Sequence, residues 1–101
     1  KINDYLAALL TFHKANSLSP NDHRILYYMG ICFSMLGEEE DAVRRFREAL
    51  KINSEDSDIY FALGKSYLKL NKHKRVGGIL DILYMLNLEL YKSLQELTNK
   101  K

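Results

Sequence analysis

The stretch Ile25-Leu26-Tyr27-Tyr28-Met29-Gly30-Ile31-Cys32-Phe33 returns in class as Ile59-Tyr60-Phe61-Ala62-Leu63-Gly64-Lys65-Ser66-Tyr67, 34 residues later. Ile pairs with Ile, Met29 with Leu63, Gly30 with Gly64 and Phe33 with Tyr67. Leu36 and Leu70 keep the same offset, followed by the turn formers Gly37 and Asn71. A second segment has the same period: Ala8, Phe12, Ala15 and Leu18 align with Ala42, Phe46, Ala49 and Ile52, and Asp22 with Asp56. Two half-units sharing one period define a repeat. Periods of roughly 20–50 residues belong to arrays in which each unit stacks on the next.

Apolar periodicity and breakers predict helices over 2–18, 23–36, 39–53, 57–70 and from 72 onward. The breaks fall at Ser19-Pro20-Asn21-Asp22, Gly37, Asn53-Ser54 and Asn71, all with turn or capping chemistry. Glu38, Glu39, Glu40 and Asp41 open the third helix, where the macrodipole favours negative charge. No segment alternates like a strand, so the expected fold is all-α. Gly30 and Gly64 lie mid-helix, where Gly costs about 1 kcal/mol relative to Ala. Such a position is tolerated where another side chain must approach the backbone. Phe12 and Phe46, each flanked by two alanines, are knobs of the right size to do so.

With these residues in view the chain resembles the tetratricopeptide repeat, whose pattern is Trp-x-x-Leu-Gly-x-x-Tyr followed by Ala-x-x-x-Phe, a second Ala and Pro. Leu26, Met29, Gly30, Phe33, Ala42, Phe46 and Ala49 supply one unit. Tyr60, Leu63, Gly64 and Tyr67 begin the next, and Ala8, Phe12, Ala15 and Pro20 end the one before. The resemblance implies antiparallel helix-turn-helix repeats stacked as a short right-handed superhelical solenoid, with a divergent terminal or capping helix. As one such domain the chain divides into 1–22 (second half of a repeat), 23–56 (complete repeat), 57–86 (divergent last repeat) and 87–101.

The pattern fails after Asn71. Val76, Leu80 and Leu83 stand where Ala, Phe and Ala are expected, and side chains of that size at small positions should keep a following helix at a distance. Gly77-Gly78 offers a close-approach point shifted by one residue. Val76, Leu80, Leu83, Leu90, Leu94 and Leu97 form a heptad-like seam in which Asn87 fills the one polar place. Two readings follow for 87–101: an extension of the last helix onto a partner, or a short capping helix of the kind solenoids need.

Composition limits function. A net charge of +2 argues against nucleic acid as partner, and no apolar run approaches a bilayer span. His13, His23 and His73 lack metal-motif spacing, the single Cys32 has no basic neighbour, and Gly77-Gly78 does not follow a strand as a phosphate loop would. An enzyme, a cofactor and a metal are therefore not expected. The chain begins at Lys1, inside a helical pattern, and reads as a piece of a longer protein; a cytoplasmic location is the default. Ile2, Tyr5, Leu6, Leu9, Leu10 and Phe12 spread around the first helix as if it were covered on several sides, by upstream sequence or by a second copy. Homo-oligomerisation through that helix or the tail, a structural place in a larger assembly, and a recruiting or regulatory role for an enzyme outside these residues are the expected alternatives to capture of another protein.

In the repeat family the first helix of each pair lines a concave groove that holds an extended peptide or a partner helix. Carried over by spacing from the glycine, the groove set is Arg24, Tyr27, Tyr28, Ile31, Ser34 and Met35, then Asp58, Phe61, Ala62, Lys65, Leu68 and Lys69. Tyr27, Ile31 and Met35 recur at steps of four, as do Phe61, Lys65 and Lys69, so each trio shares a face. The carboxylate clamp of the chaperone-binding members is missing, since Tyr27, Ile31, Asp58 and Ala62 occupy its places. The asparagine ladder of the sugar-transferring members is missing at Tyr28 and Ala62. An apolar groove is more similar to that of the secretion chaperones of this fold. Lys72, Lys74 and Arg75 form a separate basic cluster that could meet a phosphate or an acidic peptide.

Overall fold

Asp22 and Asp56 open two helices in the same way, each carboxylate accepting the N–H two residues on, at 3.0 Å from Arg24 and 3.1 Å from Asp58. A cap of this kind stabilises a helix by about 1 kcal/mol. The computed structural model describes residues 1–100, so the last residue of the 87–101 segment, Lys101, lies outside the described residues. Among those described there are six helices and no strand: α1 (Ile2–Leu18), α2 (His23–Met35), α3 (Glu39–Ile52), α4 (Ser57–Lys69), α5 (His73–Leu86) and α6 (Leu88–Asn99). The fold is an all-α stack of helix pairs in which α1 packs on α2, α2 on α3, α3 on α4 and α4 on α5.

The 34-residue period extends to the turns. After α2, Gly37 takes φ +83°, Gly37 N–H donates to the Ser34 carbonyl and Glu38 N–H to the Phe33 carbonyl. After α4, Asn71 takes φ +59°, and the same bonds run from Asn71 to Leu68 and from Lys72 to Tyr67. Both are Schellman closures, which use a left-handed residue to satisfy the last carbonyls. Of the other helices, α1, α3 and α5 end with the N–H groups of Ser19, Asn53 and Asn87 bonded back to Ala15, Ala49 and Leu83, and both asparagines are extended.

The core runs through the stack: Leu26 and Met29 of α2, Ala42, Phe46 and Ala49 of α3, Ile59, Leu63 and Tyr67 of α4, Val76, Ile79 and Leu83 of α5, and Leu94 of α6. Gly30 has the close neighbour its position calls for, since a Cβ there would run into the Phe46 ring. Gly64 departs from that pattern. Its neighbours are Leu94 of α6, at 2.6 Å from the Cβ position, and Ile79 of α5, at 3.2 Å.

Two expectations are corrected here. Gly77 and Gly78 meet nothing within 4 Å of a built Cβ and provide no close approach. The bulk of Val76 and Leu83 does not hold a following helix off either. The chain breaks at Asn87, whose side chain caps α6 by accepting the Leu90 N–H, and α6 turns back onto α4 and α5. Burying Leu94 there stabilises the contact by about 2 kcal/mol. Residues 72–99 are thus two helices rather than one long seam. In α1, Leu9 and Phe12 pack against the core, whereas Ile2, Leu6 and Leu10 are exposed along this chain.

Candidate functional site

α2 and α4 are the first helices of successive units, and they touch each other. Their proximity shows in Tyr27: burial pushes its hydroxyl above the ordinary tyrosine pKa, and the Asp58 and Asp56 carboxylates at the head of α4 add to the shift. Tyr27 also leans on Phe46, with ring centroids 6.0 Å apart, and on Tyr28 at 5.4 Å. Tyr28 stacks on Phe12 of α1 at 5.6 Å and 21°. Phe12, Tyr28, Tyr27 and Phe46 therefore form a continuous aromatic row from α1 to α3. It accounts for part of the high aromatic content.

Of the twelve residues assigned to the groove, several already have intramolecular partners. Arg24 reaches back to Asp22 at 3.3 Å and holds that carboxyl below the usual range through its side-chain and backbone hydrogen bonds. Lys65 lies over the Phe61 ring, with Nζ 4.8 Å from its centre. Lys69 reaches α3, where Nζ is 3.3 Å from Glu39, and the Ser34 hydroxyl donates to the same carboxylate at 3.1 Å. Ser34, Glu39 and Lys69 thus tie the ends of α2 and α4 to the start of α3. Asp58 remains exposed and unpaired among the described residues.

What remains along the two helices is an apolar strip. Tyr28 is 47% exposed and Met35 53%, while Ile31, Phe61 and Leu68 are half-buried. Phe61 and Leu68 flank Gly64 at three and four residues, so they share its helix face. Since Leu94 packs at Gly64, α6 borders the strip on the α4 side. Ala62, assigned to the groove by spacing, is buried, because the turn it shares with Leu63 faces the core.

The basic cluster divides. Lys72 and Arg75 line a cleft with α3, and Lys74 does not. The α3 half of that cleft, Arg44, Arg47 and Lys51, was missed in the sequence although its spacing of three and four marks one helix face. Cys32 is buried, which pushes its thiol above the ordinary pKa. Among the described residues no group of three or more His, Cys, Asp or Glu gathers as a metal site, and no helix is long and apolar enough to cross a membrane.

A sequence model of the TPR repeat family matches residues 33–71. Superkiller protein 3 of Schizosaccharomyces pombe is 31% identical over 74 residues, 73% of this chain and 5% of the relative. Tetratricopeptide repeat protein 7B of Homo sapiens is 31% identical over 78 residues, 77% of this chain and 9% of the relative. The chain therefore spans less than a tenth of the curated relatives it matches. A crystal structure of MamA superposes with a TM-score of 0.81 at 19% identity, covering 91% of this chain and 52% of that one. A second gives 0.80 at 18%, covering 93% and 61%. At that identity the likeness is one of fold. The repeat geometry, the family match and the named relatives agree: the chain is a tetratricopeptide-repeat protein.

Proposed function

We propose that these repeats, which in this family serve as protein-interaction scaffolds, hold a peptide or a helical segment against the apolar strip of α2 and α4, through Tyr28, Ile31, Met35, Phe61 and Leu68. One observation carries the reading. Tyr28 and Met35 are large apolar side chains left about half exposed, two turns apart on a helix whose other face already fills the core. Aromatic and methionine side chains at such positions are good peptide anchors because they bury much area and adapt to shape.

Selection from a displayed random-peptide library, followed by photo-crosslinking from position 35, tests the proposal. Selected peptides should crosslink at that position. Their affinity should fall at least tenfold in Ile31→Ala/Met35→Glu while helicity is retained. Crosslinks mapping only outside α2 and α4 would remove the groove reading.

A second reading is self-association. Leu10 of α1 is 73% exposed and Met85 of α5 is 81% exposed, so both helices present apolar side chains outside the strip. Light scattering across concentration separates the readings, and a mass that stays monomeric removes the second.

A further inference from the structure

A cleft of about 440 Å³ lies between α3 and α5, sharing no residue with the groove set of α2 and α4. Five cations line it: Arg44, Arg47 and Lys51 from α3, and Lys72 and Arg75 from the start of α5. Arg44 is bonded to Asp41 at 2.9 Å. Arg47, Lys51, Lys72 and Arg75 are paired with no carboxylate among the described residues. Lys72 and Arg75 also stand at the N-terminal end of α5, which has no side-chain cap, where the dipole disfavours cations and favours an arriving anion. Val43, Tyr67 and Leu70 give the cleft an apolar component.

We propose that this cleft is a second docking site, for an acidic peptide segment that places one apolar side chain between the helices and carboxylates on either side of it. Two features favour a peptide over nucleic acid. Glu40 and Glu48 interrupt the basic lining, which would repel a continuous line of phosphates but tolerates separated carboxylates. Glu48 is itself held in place by Arg45 at 3.0 Å. The volume suits a few side chains, and no exposed aromatic lines it for a base to stack on. Charge complementarity would set the encounter rate, and the apolar side chain would slow release.

The test is fluorescence anisotropy with a fluorescein-labelled peptide carrying one leucine between two runs of three aspartates. Binding should saturate, weaken as salt rises, and fall at least tenfold in Arg47→Glu/Arg75→Glu and in the second pair Lys51→Glu/Lys72→Glu. All four side chains are exposed, and circular dichroism verifies that the variants stay folded. A peptide with serine in place of the leucine should bind several-fold more weakly. Met35→Glu, on the other face, should leave binding unchanged, which separates this site from the groove. The proposal is overturned if charge reversal leaves the affinity as it was, if the serine peptide binds equally well, or if a single-stranded oligonucleotide of equal charge binds more tightly than the peptide.

Discussion

The Asn87 side-chain amide donates to the hydroxyl of Ser57 at 3.2 Å, tying the end of α5 to the start of α4. Its counterpart 34 residues earlier is Asn53, whose amide lies 3.2 Å from Nε2 of His23, tying the end of α3 to the start of α2. Each asparagine also turns its carbonyl oxygen to a backbone N–H beyond the helix end, Asn53 to Glu55 and Asn87 to Leu90. One residue thus ends the second helix of a pair, fastens it to the first, and directs the chain into the next helix.

Asn87→Ala should lower the unfolding free energy by about 1–2 kcal/mol, combining a lost cap with a lost side-chain hydrogen bond. Urea unfolding followed by circular dichroism measures it. Asn87→Asp keeps the capping acceptor but not the amide donor to Ser57, and should recover the greater part. Equal loss in both variants would mean that the amide bond, not the cap, dominates.

This relationship marks how far the sequence could be read. The offset that aligns Gly30 with Gly64 also aligns Asn53 with Asn87, so the break before α6 was legible from the repeat alone. It was obscured because Asn87 also fits a heptad seam, and spacing by itself cannot separate a long helix from two short ones. The helix pairs and both Schellman turns were legible because they depend on residues close in sequence. The groove was legible only as a family expectation. The pairing of Lys69 with Glu39 joins residues 30 apart, and Lys65 could as well have pointed to solvent as to Phe61. The α3/α5 cleft required two helices to be placed side by side before its charges could be summed.

Gly30→Ala and Gly64→Ala should separate, although the sequence makes them equivalent. An added methyl at Gly30 meets the Phe46 ring, which is fully buried and has no room to withdraw. Overpacking of this kind costs about 1–3 kcal/mol, against a gain of about 1 kcal/mol in helix propensity. At Gly64 the nearest atoms are the Cδ ends of Leu94, which is as buried as Phe46 but yields by a rotamer change that a ring does not have, with Ile79 Cγ2 next at 3.2 Å. Gly64→Ala should therefore cost less than Gly30→Ala, measured by chemical denaturation. Leu94→Ala alone should cost about 2–4 kcal/mol, and less when combined with Gly64→Ala.

The two Schellman turns offer a matched pair of substitutions. Asn71 holds a left-handed backbone that glycine adopts without steric cost, so Asn71→Gly should cost little and could raise stability by a few tenths of a kcal/mol. Gly37→Ala forces a Cβ into the same conformation and should lower stability by about 1 kcal/mol. No neighbour lies within 4 Å of a Cβ at Gly37, so that loss reports backbone strain alone. Thermal unfolding of the two variants side by side provides the comparison. If Gly37→Ala matches the parent, the turn is not held in this form in solution.

Cys32 should behave as a buried thiol. Burial raises its pKa in the folded chain, so the thiolate forms more readily in the unfolded chain than in the folded one. The sign follows: the unfolded state gives up its proton first, and stability falls as pH rises above the ordinary thiol range near 8.5. At neutral pH the thiol should react slowly with a disulfide reagent, and its rate should climb with added urea in step with unfolding. Ser66 occupies the equivalent buried place one repeat later, so Cys32→Ser should fold and should remove the alkaline loss associated with the thiol. Labelling of the native protein at the rate of a free thiol would show that α2 opens locally around Cys32, and the core assigned to that helix would have to be revised.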